Sequence, residues 1–264
     1  MGYEATELLL KCDVDDFAML ISQIDSYVNF TSDTELKRLL ARYKSDPSTS
    51  NKDDLAKAVE REIRYVGSAD VAYAFRKLFK GEEPAGVSLR EVIDDVSSRL
   101  KVKQRPLGSV EARLERLARL TAEKTFLSMS PEQQRKLFKE LGIGREQQNE
   151  FFNRLKDNKA SLLPLLMSVL GPEITAKLVQ GLAVVTISHI IGKEAAKELI
   201  KQLATKFPWW AEWLGPIVWG LSLSWLAFDL QGAAYRKTIP TMLYLGIVGL
   251  RDGPEDGDAF WSGE

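Results

Sequence analysis

Cysteine and histidine are nearly missing from this 264-residue chain, which has one of each, Cys12 and His189. A single cysteine excludes an internal disulfide framework, and one of each excludes a Cys/His zinc site within the chain. Net charge is missing too. The 36 basic and 37 acidic residues leave a formal charge of -1, which argues against a strongly basic nucleic-acid surface. No Gly-rich phosphate loop with its Lys-Ser/Thr is present, nor a GxGxxG turn. Met1 to Leu20 has early acids and no basic stretch ahead of an apolar run, so no secretory signal is expected and a cytoplasmic location is. What is present, 45% hydrophobic and 28% charged residues, is the composition of a folded globular chain.

No stretch alternates at period two between turn signals, so the chain reads as all-α, a single multi-helix bundle. Helix punctuation is clear in the first part. Asp13 caps a helix with Phe17, Leu20, Ile21 and Ile24 on one face. Leu36, Leu39, Leu40 and Tyr43 form the next stripe, ending in a polar loop from Ser45 to Asn51. A helix over Asp53 to Val66 follows, then one over Ala69–Lys80 and a loop over Gly81–Gly86. Ser88, Ser109 and Ser130 each precede a helix. At Ser130-Pro131-Glu132 a hydroxyl acceptor, a preset φ and an acid suited to the dipole coincide.

Charge density divides the chain. Residues 1–160 hold 28 basic and 27 acidic residues, and 161–264 hold 8 and 10, together with all six tryptophans. We therefore expect an amphipathic helical region over 1–160, an apolar Trp/Gly-rich helical region over 161–250 packed into the same domain, and a fraying tail over 251–264. The apolar runs are Ser161–Pro172, Leu178–Gly192, Trp213–Phe228 and Thr238–Leu250. None cleanly reaches the roughly 20 residues of a spanning helix, and prolines interrupt them. They suit central helices surrounded by other helices. They equally suit a hairpin that transfers from a soluble core into a membrane, with Trp209, Trp210, Trp213, Trp219 and Trp225 favouring the interfacial level. Val185 and Leu223 mark the middle of the two apolar arms.

Candidate chemistry is sparse. His189 sits among isoleucines and reads as a core residue satisfied by a backbone carbonyl; Cys12 reads as a small buried hydrophobe. Asp13 and Asp16, or Glu91 and Asp95, share helix faces and read as capping or solvated groups. Arg113, Arg116 and Arg119, with Glu111 and Glu115 beside them, read as a solvated mixed-charge face. Asp229 and Arg236 lie two turns apart if one helix carries both. Either they pair in a buried contact that sets how the apolar helix docks, or Arg236 is a surface group complementing a helix dipole. No catalytic residue, cofactor site or metal site is expected, so the chain reads as no enzyme.

Several collinear blocks carry a resemblance. Gly215-Pro216-Ile217-Val218-Trp219-Gly220 and Phe228 to Pro240, with Ala234-Tyr235-Arg236-Lys237-Thr238-Ile239-Pro240, are similar to the C-terminal signature of the uncharacterised bacterial YaaW family. Glu60 to Gly67, Val87 to Val96, Arg99-Leu100-Lys101-Val102 and Glu7 to Cys12 resemble its upstream segments in the same order. The resemblance implies no activity and no catalytic residues. Through it the helical part is similar to the ubiquinol–cytochrome c chaperone domain, a helical module that holds a membrane-protein client.

Two functions remain as expectations. In the first, a non-enzymatic bundle releases its buried apolar helices into a lipid membrane once loosened by mild acid or a partner, as a pore-forming or membrane-disrupting effector of the kind used in bacterial defence. Oligomers on the membrane and membrane association on activation go with it. In the second, a soluble chaperone or adaptor holds a protein client in a helical groove.

Overall fold

The computed structural model describes residues 2–24, 30–67, 87–157, 162–206 and 234–262. Among these, twelve α-helices and one 3-10 turn occur and no strand does. The helices are α1 (Thr6–Leu10), α2 (Val14–Ile24), α3 (Phe30–Ser45), α4 (Thr49–Gly67), α5 (Leu89–Arg99) and α6 (Val110–Ser128). They continue with α7 (Pro131–Glu140), α8 (Arg145–Asp157), α9 (Leu162–Ile191), α10 (Lys193–Lys206), α11 (Tyr235–Gly249) and α12 (Asp258–Ser262). The 3-10 turn Leu250–Asp252 joins α11 to the C-terminal strap.

The caps explain most boundaries. Asp13 Oδ1 accepts the N–H groups of Asp15 and Asp16 at 2.9 and 3.0 Å. Ser88 with Glu91, and Ser130 with Gln133, form reciprocal capping boxes, with Pro131 in the first turn of α7. Gly142, at φ 72°, turns the chain out of α7. The helix expected from Asp53 begins earlier, at Thr49. There the Ser48 hydroxyl accepts from Asn51 N at 3.4 Å and the Asn51 amide returns to the Asp46 carbonyl at 2.8 Å. The expected helix over Ala69–Lys80 and loop over Gly81–Gly86 lie outside the described residues.

Three helices form the centre: α6, α9 and α11 pack on one another. Helix α9 is apolar around most of its circumference, and Leu178 to Ser188 are all buried. It is bent at Gly171, whose φ of 78° lies in the left-handed region, ahead of Pro172, which lacks the N–H to continue the ladder. The α6–α9 seam includes a buried Thr125–Thr186 hydroxyl pair at 2.9 Å. Phe126 of α6, Phe138 of α7 and Phe151 of α8 stack with ring centroids 5.0–5.8 Å apart, tying the outer pair to the centre. The expected burial of Leu178–Ile191 is found apart from the half-buried His189 and Ile191; the companion run Ile217–Phe228 lies outside the described residues.

Helix α11 approaches α6 closely. A Cβ added to Gly246 would overlap the Leu114 carbonyl, and one added to Gly249 would lie 2.9 Å from Glu115 Oε1. Only hydrogen fits at either place. We expect Gly246→Ala to lower unfolding free energy by about 1–3 kcal/mol, because backbone cannot yield as a side-chain tip can. Gly144→Ala, where a Cβ meets only Gln147 Oε1 at 3.9 Å, serves as the control and should change stability little. Urea denaturation of both variants checks this.

Candidate functional site

The strap from Leu250 to Ser262 does not fray as expected of the tail. Three polar locks and a buried aromatic dock it. Glu255 accepts from the Ser109 hydroxyl and from Ala112 N at 3.1 Å, so its carboxylate occupies the N-terminus of α6. Its own N–H donates to Glu115 Oε2 at 2.8 Å. Asp256 pairs with Arg116 at 3.2 Å. Phe260 is 1% exposed, its carbonyl accepts from Arg119 Nη1 at 2.6 Å, and its ring lies 5.3 Å from that guanidinium. The aromatics Phe260 and Trp261 supply apolar area that a Gly/Asp/Glu-rich tail would otherwise lack.

The first of these locks has its counterpart at the start of the strap. Asp16 is wholly buried. Its carboxylate accepts from Arg251 Nη1 and Nη2 at 2.6 and 2.7 Å, Lys206 Nζ at 2.7 Å, Tyr244 Oη at 2.7 Å and Asp13 N at 2.9 Å. Lys206 also reaches Asp13 at 2.7 Å. One carboxylate thus joins α2, the end of α10, α11 and the strap. Burial is the largest influence on Asp16 and acts to raise its pKa; the hydrogen bonds and charges of Arg251 and Lys206 together reverse it and hold the carboxyl well below the usual range. Of the two expectations for Asp16, capping is met, since it and Asp13 cap each other reciprocally. Solvation is corrected: its place on the Leu20 and Ile24 side of α2 carries it into the core.

Helix α6 requires a second correction. Arg113, Arg116 and Arg119 are 2–5% exposed and Glu115 is 0% exposed, so this is no solvated face. The strap and the 100–109 segment cover it. Arg113 reaches Asp94, and Arg116 donates to the carbonyls of Ala112, Arg105 and Leu107. Backbone carbonyl oxygens take the place of water around the Arg116 and Arg119 guanidinium groups, and the Asp94 carboxylate does so for Arg113.

A cleft of about 300 Å³ lies between α9 and the strap, with Lys177 and Gln180 on one wall and Arg251, Pro254 and Trp261 on the other. Its cations are engaged within the chain: Lys177 pairs with Glu173 at 2.5 Å and Arg251 with Asp16. His189 Nδ1 lies 2.9 Å from the Val185 carbonyl, as expected of a satisfied core histidine. Cys12 is buried, and burial pushes its thiol well above the ordinary range, which leaves little thiolate for nucleophilic chemistry. Among the described residues no group of three His, Cys, Asp or Glu side chains is arranged to hold a metal ion.

Of the other residues singled out, Val185 is fully buried in α9. Trp209, Trp210, Trp213, Trp219, Trp225, Leu223 and Asp229 lie outside the described residues, and the Asp229–Arg236 pair with them. Arg236 is exposed in the first turn of α11, the positive end of that helix, so it does not complement the dipole.

The chain is similar to a UPF0174 protein of Helicobacter pylori, 26% identical over 206 residues that cover 75% of this chain and 74% of that protein. This similarity brings no residue role with it. No family model and no solved structure matches.

Replacing Asp16 by Asn keeps the shape but leaves Arg251 and Lys206 without their buried counter-charge. We expect a loss of about 3 kcal/mol in unfolding free energy. Because the folded pKa is depressed, the stabilising contribution of Asp16 is full above the ordinary carboxylate value and is lost only as pH falls below it. Denaturation of wild type and variant at pH 7 and pH 3 checks both statements: the gap between them should narrow in acid.

Proposed function

We propose that the protein is a non-enzymatic helical bundle whose apolar helices engage or enter a lipid membrane when their cover is released. One observation carries this reading. Helix α9 is long and apolar enough to cross a membrane, and 67% of its most apolar window is buried beneath other helices. From Pro172 to Ile191 the helix rises about 30 Å, of which the uncharged part from Leu178 to Ile191 accounts for about 21 Å. It therefore spans a hydrocarbon core of about 30 Å only with Lys177 reaching up to the interface and the bilayer locally thinned. In lipid such a helix needs no cover, because its backbone groups are satisfied internally. A charge near the bilayer centre costs about 2.5–3.5 kcal/mol on insertion scales, so Glu173 and Lys177 must stay at an interface. They lie one turn apart and pair with each other at the start of this stretch, which is where an interface would fall.

Mild acid does not suit the release step. Asp16 remains ionised well below the usual carboxylate range, and Glu115 is more stable protonated in the folded state. Displacement of the strap by a partner or by the lipid surface fits better. The collinear YaaW resemblance belongs to this reading as a bacterial context, and its likeness to a helical chaperone domain supports the second reading, a soluble protein holding a client.

Dye release from anionic and neutral vesicles at pH 7.5 separates the two. We expect release by wild type in low urea, at least several-fold more from Asp16→Asn, and loss of release in Val185→Asp and Leu223→Asp. Absence of both release and co-sedimentation with vesicles for wild type and Asp16→Asn would contradict the membrane reading and favour the client-holding one.

A further inference from the structure

The middle of the strap meets α6 at Glu115, a buried carboxyl with an unusual set of neighbours. Oε2 accepts the Glu255 N–H at 2.8 Å, but Oε1 is shut off from water and receives no hydrogen bond. Ionised carboxylates can accept several hydrogen bonds and are costly to bury without them. The groups around it are mostly of the same sign. Glu111 lies one turn earlier on α6, and Glu255 faces it from the strap. From the end of α1 comes one cation, Lys11, which is engaged by Glu111 at 2.5 Å and is also faced by Asp252. From α11 comes Gly249, which has no side chain to donate. Arg116 and Arg119, on the same helix as Glu115, are directed to Asp256 and to backbone carbonyls.

We propose that the strap is a proton-linked latch: it docks on α6 with Glu115 as the neutral acid, and ionisation of that carboxyl loosens it. Ionisation adds a dry negative charge between Glu111 and Glu255. Of those two neighbours, Glu255 is on the element that can move away with least loss of core. The other end of the strap, at Arg251 and Asp16, stays charged and closed throughout this range, so opening starts at Glu255. The inference is independent of the membrane reading, since its test contains no lipid.

The direction follows from linkage. Burial, then the charges of Glu111 and Glu255, push Glu115 from its ordinary 4.5 up to about 7, against the Glu255 N–H and Lys11. Docking therefore favours the protonated form. The added stability is complete below the ordinary value and is lost as pH rises through about 7. Between those limits the opening constant rises about tenfold per pH unit and then levels off.

Amide hydrogen exchange of the full chain from pH 5 to 8.5, corrected for intrinsic exchange rates, reads this directly in the strap peptide 250–262. A local readout is needed because burial also raises Glu60, Asp95 and Glu123, which affect global melting. We expect strap protection to fall by tens of fold between pH 5 and pH 8 in wild type and to be flat in Glu115→Gln. Should that variant not fold, Glu111→Gln removes a like charge and should move the wild-type midpoint to lower pH. Strap protection independent of pH in wild type, a wild-type pH profile in Glu115→Gln, or an unmoved midpoint in Glu111→Gln would each overturn the proposal.

Discussion

Asp16 is out of water, and a carboxylate in that position must find donors or become neutral. Here it finds five, drawn from Arg251, Lys206, Tyr244 and the Asp13 backbone. Those donors come from segments far apart in sequence, so satisfying one buried charge sets the relative placement of α2, α10, α11 and the strap. An apolar contact could hold the same elements together, but it would tolerate sliding. A bidentate guanidinium with a phenol and an ammonium on one carboxylate does not. Whether such a pair adds net stability over a hydrophobic substitute is a separate matter; breaking it by removing one partner is costly in either case.

The same logic extends along the strap. Helix α6 carries Glu115, Arg116 and Arg119 inside the protein because the C-terminal residues bring Glu255, Asp256 and the Phe260 carbonyl to them. The strap thus provides partners for buried charge as well as apolar cover. Its departure would expose charges and hydrophobic surface together, at the edge of α9, where Gln180 donates to the Leu250 carbonyl at 3.2 Å.

The fold class and most helix starts were legible because they depend on local chemistry: Asp13, Ser88, Ser109 and Ser130 cap where their side chains reach the next turn. The Gly171-Pro172 interruption was visible as a break, and the backbone at Gly171 does leave helical geometry there, dividing α9 into two helical arms. The site was less legible. Asp15 and Asp16 are adjacent and alike, and only their place on α2 separates them; Asp16 lies four and eight residues before Leu20 and Ile24, a signal that the apolar stripe contained. Arg113, Arg116 and Arg119 were misread because a mixed-charge pattern describes a helix alone, while their partners come from other segments. These are Asp94 for Arg113, the Arg105 and Leu107 carbonyls for Arg116, and, for Arg116 and Arg119, a strap more than 130 residues away. The tail read as fraying from its glycines and acids, yet Phe260 and Trp261 were the residues that predicted docking.

The central claim is that Asp16 and Arg251 act as one unit holding the strap. A double-mutant cycle with Asp16→Asn and Arg251→Met, followed by urea denaturation and by exchange of the strap amides, tests it most directly. The account predicts that either single change destabilises strongly and that the second adds little, giving a coupling of about 2–3 kcal/mol. Additive effects, or strap protection unchanged in both single variants, would contradict it.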